Sequence, residues 1–276
     1  MFNIETYLDS LPDYIEEIDV SHKGIKVLDV TRFKNLKRLM CTFNQLTSLR
    51  LNENLEKLYC NCNQLTSLCL NEKLEILHCS HNKLIYLHLN ENLQTIYCDN
   101  NQLTSLHLNE NLETLYCNNN QLTSLLLNDY NIIIVNCSYN QLTSLHLNKN
   151  LDTLECYNNQ LTSLLLNEKL ETLYCNNNQL TSLLLNKKLQ KLYCSHNKLI
   201  YLHLNKKLQT LYCHDNQLTS LHLNENLEKL YCYNNQLTSL HLNEKLKTID
   251  YDENPIFEII KSDDKYIITQ KIRVLN

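Results

Sequence analysis

Leu55-Glu56-Lys57-Leu58-Tyr59-Cys60-Asn61-Cys62-Asn63-Gln64-Leu65, continued by Thr66-Ser67-Leu68-Cys69-Leu70, is the stretch that decides how this chain folds. With small edits it returns about every 19 residues through most of the sequence. Self-similarity at a fixed short period signals a solenoid, in which each unit buries its apolar face against its neighbours. Within the unit, Leu58 and Cys60 alternate with Tyr59, the two-residue period of a half-buried strand. Leu58 and Cys60 are therefore expected to face the core and Tyr59 to face out. At Asn63 the chain must turn, and a bent backbone inside a stack has N–H and C=O groups that no sheet partner reaches. An inward asparagine amide offers both donor and acceptor, so a column of asparagines ties each turn to the next.

Two columns run through the repeats in register. The third apolar slot reads Val20, Cys41, Cys60, Cys79, Cys98, Cys117, Cys137, Cys156, Cys175, Cys194, Cys213, Cys232 and Tyr251, which marks thirteen coils. Three residues further on stands the asparagine column, from Asn44 to Asn254. The pattern LxxLxCxxNxL, over roughly residues 15–254, resembles the leucine-rich repeat. Its short nested coils look like those of leucine-rich repeat proteins in giant viruses and bacteria. The resemblance implies a non-enzymatic binding scaffold. The departures from the usual pattern are cysteine in the third slot and no helix on the back of the coil.

That back half, Leu65-Thr-Ser-Leu68-Cys69-Leu70, alternates again and predicts a second short strand. The expected fold is a β-rich solenoid of about 13 coils, with a parallel front sheet, short back strands and weak curvature. At a strand spacing of about 4.8 Å the stack would be roughly 60 Å long.

Composition narrows the function. Gly24 is the single glycine and Pro12 and Pro255 the two prolines, which removes phosphate-cradling glycine loops and dinucleotide fingerprints. A net charge of −5 argues against general nucleic-acid binding. No apolar run approaches a membrane span, and the start, Met1-Phe-Asn-Ile-Glu-Thr-Tyr, lacks the basic region and apolar core of a secretory signal. Of the 13 cysteines, eleven belong to the inward column. Neighbouring thiols there lie one strand spacing apart on parallel Cβ directions, too far for a disulfide. Free thiols in such numbers suit a reducing compartment, here the cytoplasm. No cofactor or metal is expected, and Cys60-Asn-Cys62 lacks zinc-site spacing.

Residues 1–14, with Ile4, Tyr7, Leu8 and Leu11 at helical spacing, are read as an N-terminal cap; 15–254 are the solenoid; 255–276 are a C-terminal cap opened by Pro255. The terminal segment has a sharper reading as a strand offered to a partner. One residue is inserted within Asn128-Asp129-Tyr130-Asn131. Cys79 to Asn90 recurs identically at Cys194 to Asn205, so a block of six coils was duplicated at an offset of 115 residues.

The outward front position carries the candidate binding residues: Tyr59, Tyr97, Tyr116, Asn136, Glu155, Tyr174, Tyr193, Tyr212 and Tyr231, with His78 in the same row. Tyrosine offers a large rigid contact area with a polar tip, and an aromatic stripe with polar flanks is what a protein-binding face looks like. The same stripe also serves to stabilise the sheet through cross-strand pairs. Asn136 and Glu155 interrupt the stripe beside the insertion. The outward back position holds six of the 11 histidines, including His203, His222 and His241, a row with metal-binding chemistry or simply a copied polar filler. Cys-Ser-His at 79–81 and 194–196 fails as a nucleophile pair, because the thiol points inward and the imidazole sits outside at the turn. Two readings of function remain: a protein-interaction module using the tyrosine face, with a host protein as partner if the source is a virus or pathogen, or a self-associating structural rod.

Overall fold

The computed structural model describes residues 2–127, 131–256, 258–261, 264–266 and 273–274. It falls into two compact units, Met1–Gln141 and Leu142–Asn276. The inserted residue at 128–130, and most of the segment read as a C-terminal cap, lie outside the described residues.

The first unit opens with a one-and-a-half-turn helix, Ile4–Asp9. Asn3 caps it by accepting a hydrogen bond from the Thr6 amide at 3.1 Å, and Leu8 is its buried residue. Seven front strands follow, from Glu17–Asp19 to Ile134–Asn136, each three residues long and paired in parallel with the next. The inserted residue leaves this ladder in step, since Thr114 pairs with Ile134 and Tyr116 with Asn136.

The second unit repeats the plan with six front strands, from Thr153–Glu155 to Thr248–Asp250. Its last front strand pairs antiparallel with Arg273–Val274. On the back, Ser239–Leu242 pairs in parallel with Glu258–Lys261, which Asp264–Tyr266 joins antiparallel. Elsewhere on the back, strand pairing among the described residues is sparse. Val27–Asp29 pairs with Ser48–Arg50, and single bridges join His88 to His107 and His146 to Leu165. Most of the expected back strands are thus not paired as strands among the described residues.

Core and surface follow the predicted alternation. Leu58 and Cys60 are fully buried and Tyr59 half-buried, a pattern kept in coil after coil. Each fully buried leucine contributes about 2 kcal/mol. All the cysteines are free thiols, and those of the ladder are buried. Burial pushes the Cys60 thiol up to about 12, so it stays protonated and packs as a small apolar group.

Beyond the front strand the backbone turns through a left-handed residue in every coil. Thirteen non-glycine residues have φ between 49° and 58°, among them Cys62, His81, Asn100, Asn177, His196 and Asp215. Most side chains resist this conformation by roughly 1–2 kcal/mol, and asparagine, aspartate and histidine resist it least. These three types fill nine of the thirteen positions, which is how the fold manages with one glycine.

The asparagine immediately after that residue does what its amide chemistry predicts. Asn63 donates to the carbonyls of Cys60 at 3.0 Å in its own coil and Cys41 at 2.9 Å in the coil before, and accepts from the Leu46 amide at 2.9 Å. A second asparagine column closes the other end of the coil. Asn109 donates to the carbonyls of Asn90 at 2.6 Å and Leu93 at 2.9 Å, and Asn186 bonds Asn167 and Leu170 in the same way in the second unit.

Candidate functional site

The parallel register brings the outward front residues into line within each unit. In the first unit the row is Tyr59, His78, Tyr97, Tyr116 and Asn136. Strand spacing sets the distance between rings. The centroids of Tyr59 and His78 are 4.8 Å apart, those of His78 and Tyr97 4.3 Å, and those of Tyr97 and Tyr116 4.6 Å with the planes 8° from parallel. The Arg38 guanidinium lies 5.2 Å from the centre of the Tyr59 ring and extends the row by a cation–π contact.

In the second unit Glu155 pairs with Tyr174, and Tyr174, Tyr193, Tyr212 and Tyr231 stack continuously at 4.3, 4.7 and 4.3 Å. Each ring covers one face of the next, so every tyrosine of the row is half-buried. Such stacks contribute about 0.5–1.5 kcal/mol per pair beyond their buried area. The sheet-stabilising role is therefore real, and the other half of each ring is open to solvent.

Burial tunes the polar members of the row. It raises the Tyr193 and Tyr212 phenols, with help from the neighbouring tyrosines, so both are neutral donors at physiological pH. It raises the Glu155 carboxyl and lowers the His78 imidazole, the latter partly offset by the charge of Asp99. Asn136 departs from expectation. The alternation placed it outward beside Tyr116, yet it is buried, with 8% of its surface exposed, and its Oδ1 accepts the Ser138 amide at 3.1 Å. Its short side chain folds back over the turn where a tyrosine must project. Asn136 therefore ends the aromatic row of the first unit and offers little surface to a partner.

The row of back histidines does not converge on a point. Among the described residues, the side chains that do bring three metal-capable atoms within 4.8 Å of one another are His196, His214 and Asp215, at the turn that follows the front strands. The sequence reading singled out none of these as ligands. The available signal was the polar pair one and two places beyond each ladder cysteine, which supplies His214 and Asp215 in one coil and His196 in the coil before.

No described helix is long and apolar enough to cross a membrane. No protein-family model matches the chain, and no curated protein matches it. Solved structures do. The chain is similar to the functional domain of InlJ from Listeria monocytogenes, described as including a cysteine ladder, with TM-score 0.78 and 30% identity over 88% of this chain and 64% of that one. It is also similar to YopM, a leucine-rich effector protein from Yersinia pestis, with TM-score 0.74 and 28% identity over 89% of this chain and 80% of that one. The APL1 leucine-rich repeat domain shares the fold, with TM-score 0.79 and 21% identity over 94% of this chain and 78% of that one. This chain thus spans less than two thirds of the InlJ chain and most of the other two.

Proposed function

Because this chain is a leucine-rich repeat solenoid, we propose that it is a non-enzymatic protein-interaction scaffold whose contact face is the tyrosine row of the front sheet. The observation that carries this reading is the continuous stack from Tyr174 to Tyr231, a rigid aromatic strip half open to solvent. Rigid aromatics lose little conformational entropy on binding and concentrate affinity in a few residues. Solved structures of the same fold include the LRIM1/APL1C complex and the Toll–Spatzle complex, both protein assemblies. Glu155 lies at the head of the strip in the second unit, where its carboxylate adds a polar anchor. The ladder of free, buried thiols suits a reducing compartment, and a host protein is the natural partner if the chain belongs to a pathogen. Residues 1–14 and 255–276 serve as end caps.

The test is an affinity pull-down comparing wild type with a variant carrying Tyr174, Tyr193, Tyr212 and Tyr231 changed to Ser, its fold checked by circular dichroism. A protein retained by wild type and lost by the folded variant supports the tyrosine face. Retrieval of the same proteins by both, or only of further copies of the chain, sinks the reading in favour of a structural, self-associating role.

A further inference from the structure

At the turn of the coil carrying Cys194, His196 adopts φ 53°, and directly beside it in the next coil Asp215 adopts φ 52°. The left-handed backbone aims both side chains out of the turn, and the coils are pinned by main-chain bonds from the His196 amide to the His214 carbonyl at 3.1 Å and from the Asp215 amide to the Tyr233 carbonyl at 3.1 Å. Asp215 Oδ2 lies 2.7 Å from His214 Nδ1 and 3.5 Å from His196 Nε2, and the two imidazoles meet edge to face with centroids 5.1 Å apart. Two imidazoles and a carboxylate, with one ligand atom of each within 4.8 Å of the others, are a metal-ligand set. Donors on a tetrahedral zinc ion are separated by about 3.3 Å, given bonds of about 2.0–2.1 Å. The His196–Asp215 separation of 3.5 Å is close to that value, and the 2.7 Å contact between His214 Nδ1 and Asp215 Oδ2 is a hydrogen bond whose proton the ion would displace.

The surroundings hold the donors in place. His214 stacks on Tyr233, with centroids 4.2 Å apart and planes 9° from parallel, which sets its ring orientation. Asn234 donates to Asp215 Oδ1 and leaves Oδ2 to face the histidines. Outer partners of this kind, which orient a ligating carboxylate, are a regular part of metal sites. Ser195, next to His196, is buried with its hydroxyl lacking a hydrogen-bond partner.

The duplicated block supplies an internal control. In the first unit the corresponding residues are His81, Asp99 and Asn100, and Asn100 Nδ2 lies 3.3 Å from His81 Nε2, much as Asp215 lies from His196. There, however, an amide stands where the carboxylate stands in the second unit, and a carboxylate where the second imidazole stands. Ser80 hydrogen-bonds Asp99 at 2.5 Å; its counterpart is the unpartnered Ser195. The backbone is the same and the donor set differs.

We propose that His196 Nε2, His214 Nδ1 and Asp215 Oδ2 form a binding site for one divalent transition-metal ion of the zinc type, staples between two successive coils, with a coordination position left to solvent. Nitrogen-rich donors select such ions over magnesium or calcium, which take oxygen ligands. Half the His196 side chain is exposed, so the site is reached from outside at the margin of the tyrosine row.

The untagged full chain is titrated with Co2+ as a spectroscopic probe and then with Zn2+. The expected result is one equivalent of bound Co2+ with tetrahedral ligand-field bands, no thiolate-to-cobalt charge-transfer band, and displacement by Zn2+. His214→Asp and Asp215→Asn, each of which installs the residue the other half already carries at that position, should weaken binding by at least about tenfold while the circular dichroism stays unchanged. Binding that survives both substitutions overturns the proposal, as does a charge-transfer band from Cys62 or Cys69, or the absence of any binding.

Discussion

The coils from Cys60 to Asn101 and those from Cys175 to Asn216 descend from one block, and they agree inside while they differ outside. Asn82 donates to the Cys60 and Cys79 carbonyls at 3.0 and 3.1 Å and accepts from Leu65 at 3.0 Å. Asn197 does the same with Cys175, Cys194 and Leu180, all at 3.0 Å. Around these conserved bonds the surface has changed. His78 answers to Tyr193, Asp99 to His214, Asn100 to Asp215, and Cys62 to Asn177. The lesson is that this scaffold takes its bonds from main-chain groups and column residues, which frees the outward positions to vary without disturbing the fold. Exchanging residues between the two halves tests that division.

The largest effect is expected where the halves agree. Asn82→Ala and Asn197→Ala each remove bonds between coils and strand buried carbonyls, at a cost of about 2–4 kcal/mol. Urea unfolding should give similar losses for the two; a cost near zero in either would show that the column does not hold that half together. Next comes the reciprocal of the metal test. The pair Asp99→His with Asn100→Asp should give the first unit the donor set of the second, so that bound Co2+ rises from one equivalent to two. An unchanged stoichiometry would mean that the donors alone do not make the site.

A smaller effect depends on pH. Burial between Tyr59 and Tyr97 holds the His78 imidazole below the ordinary histidine range, with the Asp99 charge pulling partly the other way. The folded state therefore binds this proton less readily than the unfolded chain. Its contribution to stability is complete above the unfolded value of about 6.5 and is lost as pH falls through the folded value. His78→Tyr should make Tm less sensitive to acid over that interval, and Tyr193→His should make it more so. Equal pH profiles for wild type and both variants would contradict the burial argument. The smallest effect is conformational. Cys62→Asn replaces a thiol in the left-handed region (φ 54°) by the residue its counterpart carries (φ 52°), and should raise stability by about 0.5–1 kcal/mol. A loss in thermal denaturation would show that Cys62 contributes packing there.

The period, the cysteine column, the first asparagine column and the outward tyrosines were legible because each is a single position repeated at fixed spacing. The burial of Leu58 beside the half-exposure of Tyr59 follows from alternation alone. The left-handed turn was also written in the chain, as asparagine, aspartate and histidine at one position and an almost complete lack of glycine, but its backbone meaning emerges only from φ. His196, His214 and Asp215 were harder to see. They join two adjacent positions of one coil to one position of the coil before, and a reading by columns passes over such diagonals; the histidines it picked out, His203, His222 and His241, share a column and do not converge. Asn136 keeps the outward register, as alternation placed it, but is buried, because alternation fixes the direction of Cβ and says nothing of a short polar side chain bending back to its own turn.

The cysteine ladder makes the molecule its own clock of unfolding. A thiol held at a pKa of about 12, as at Cys60, is almost wholly protonated at neutral pH and is shut away from reagents as well. Cys62 and Cys69, outside the ladder and at least partly exposed, can be reached by a reagent in the folded chain. Every further alkylation needs a coil to open, so the masses gained during a brief exposure would count how many coils have come apart, without any label being added beforehand.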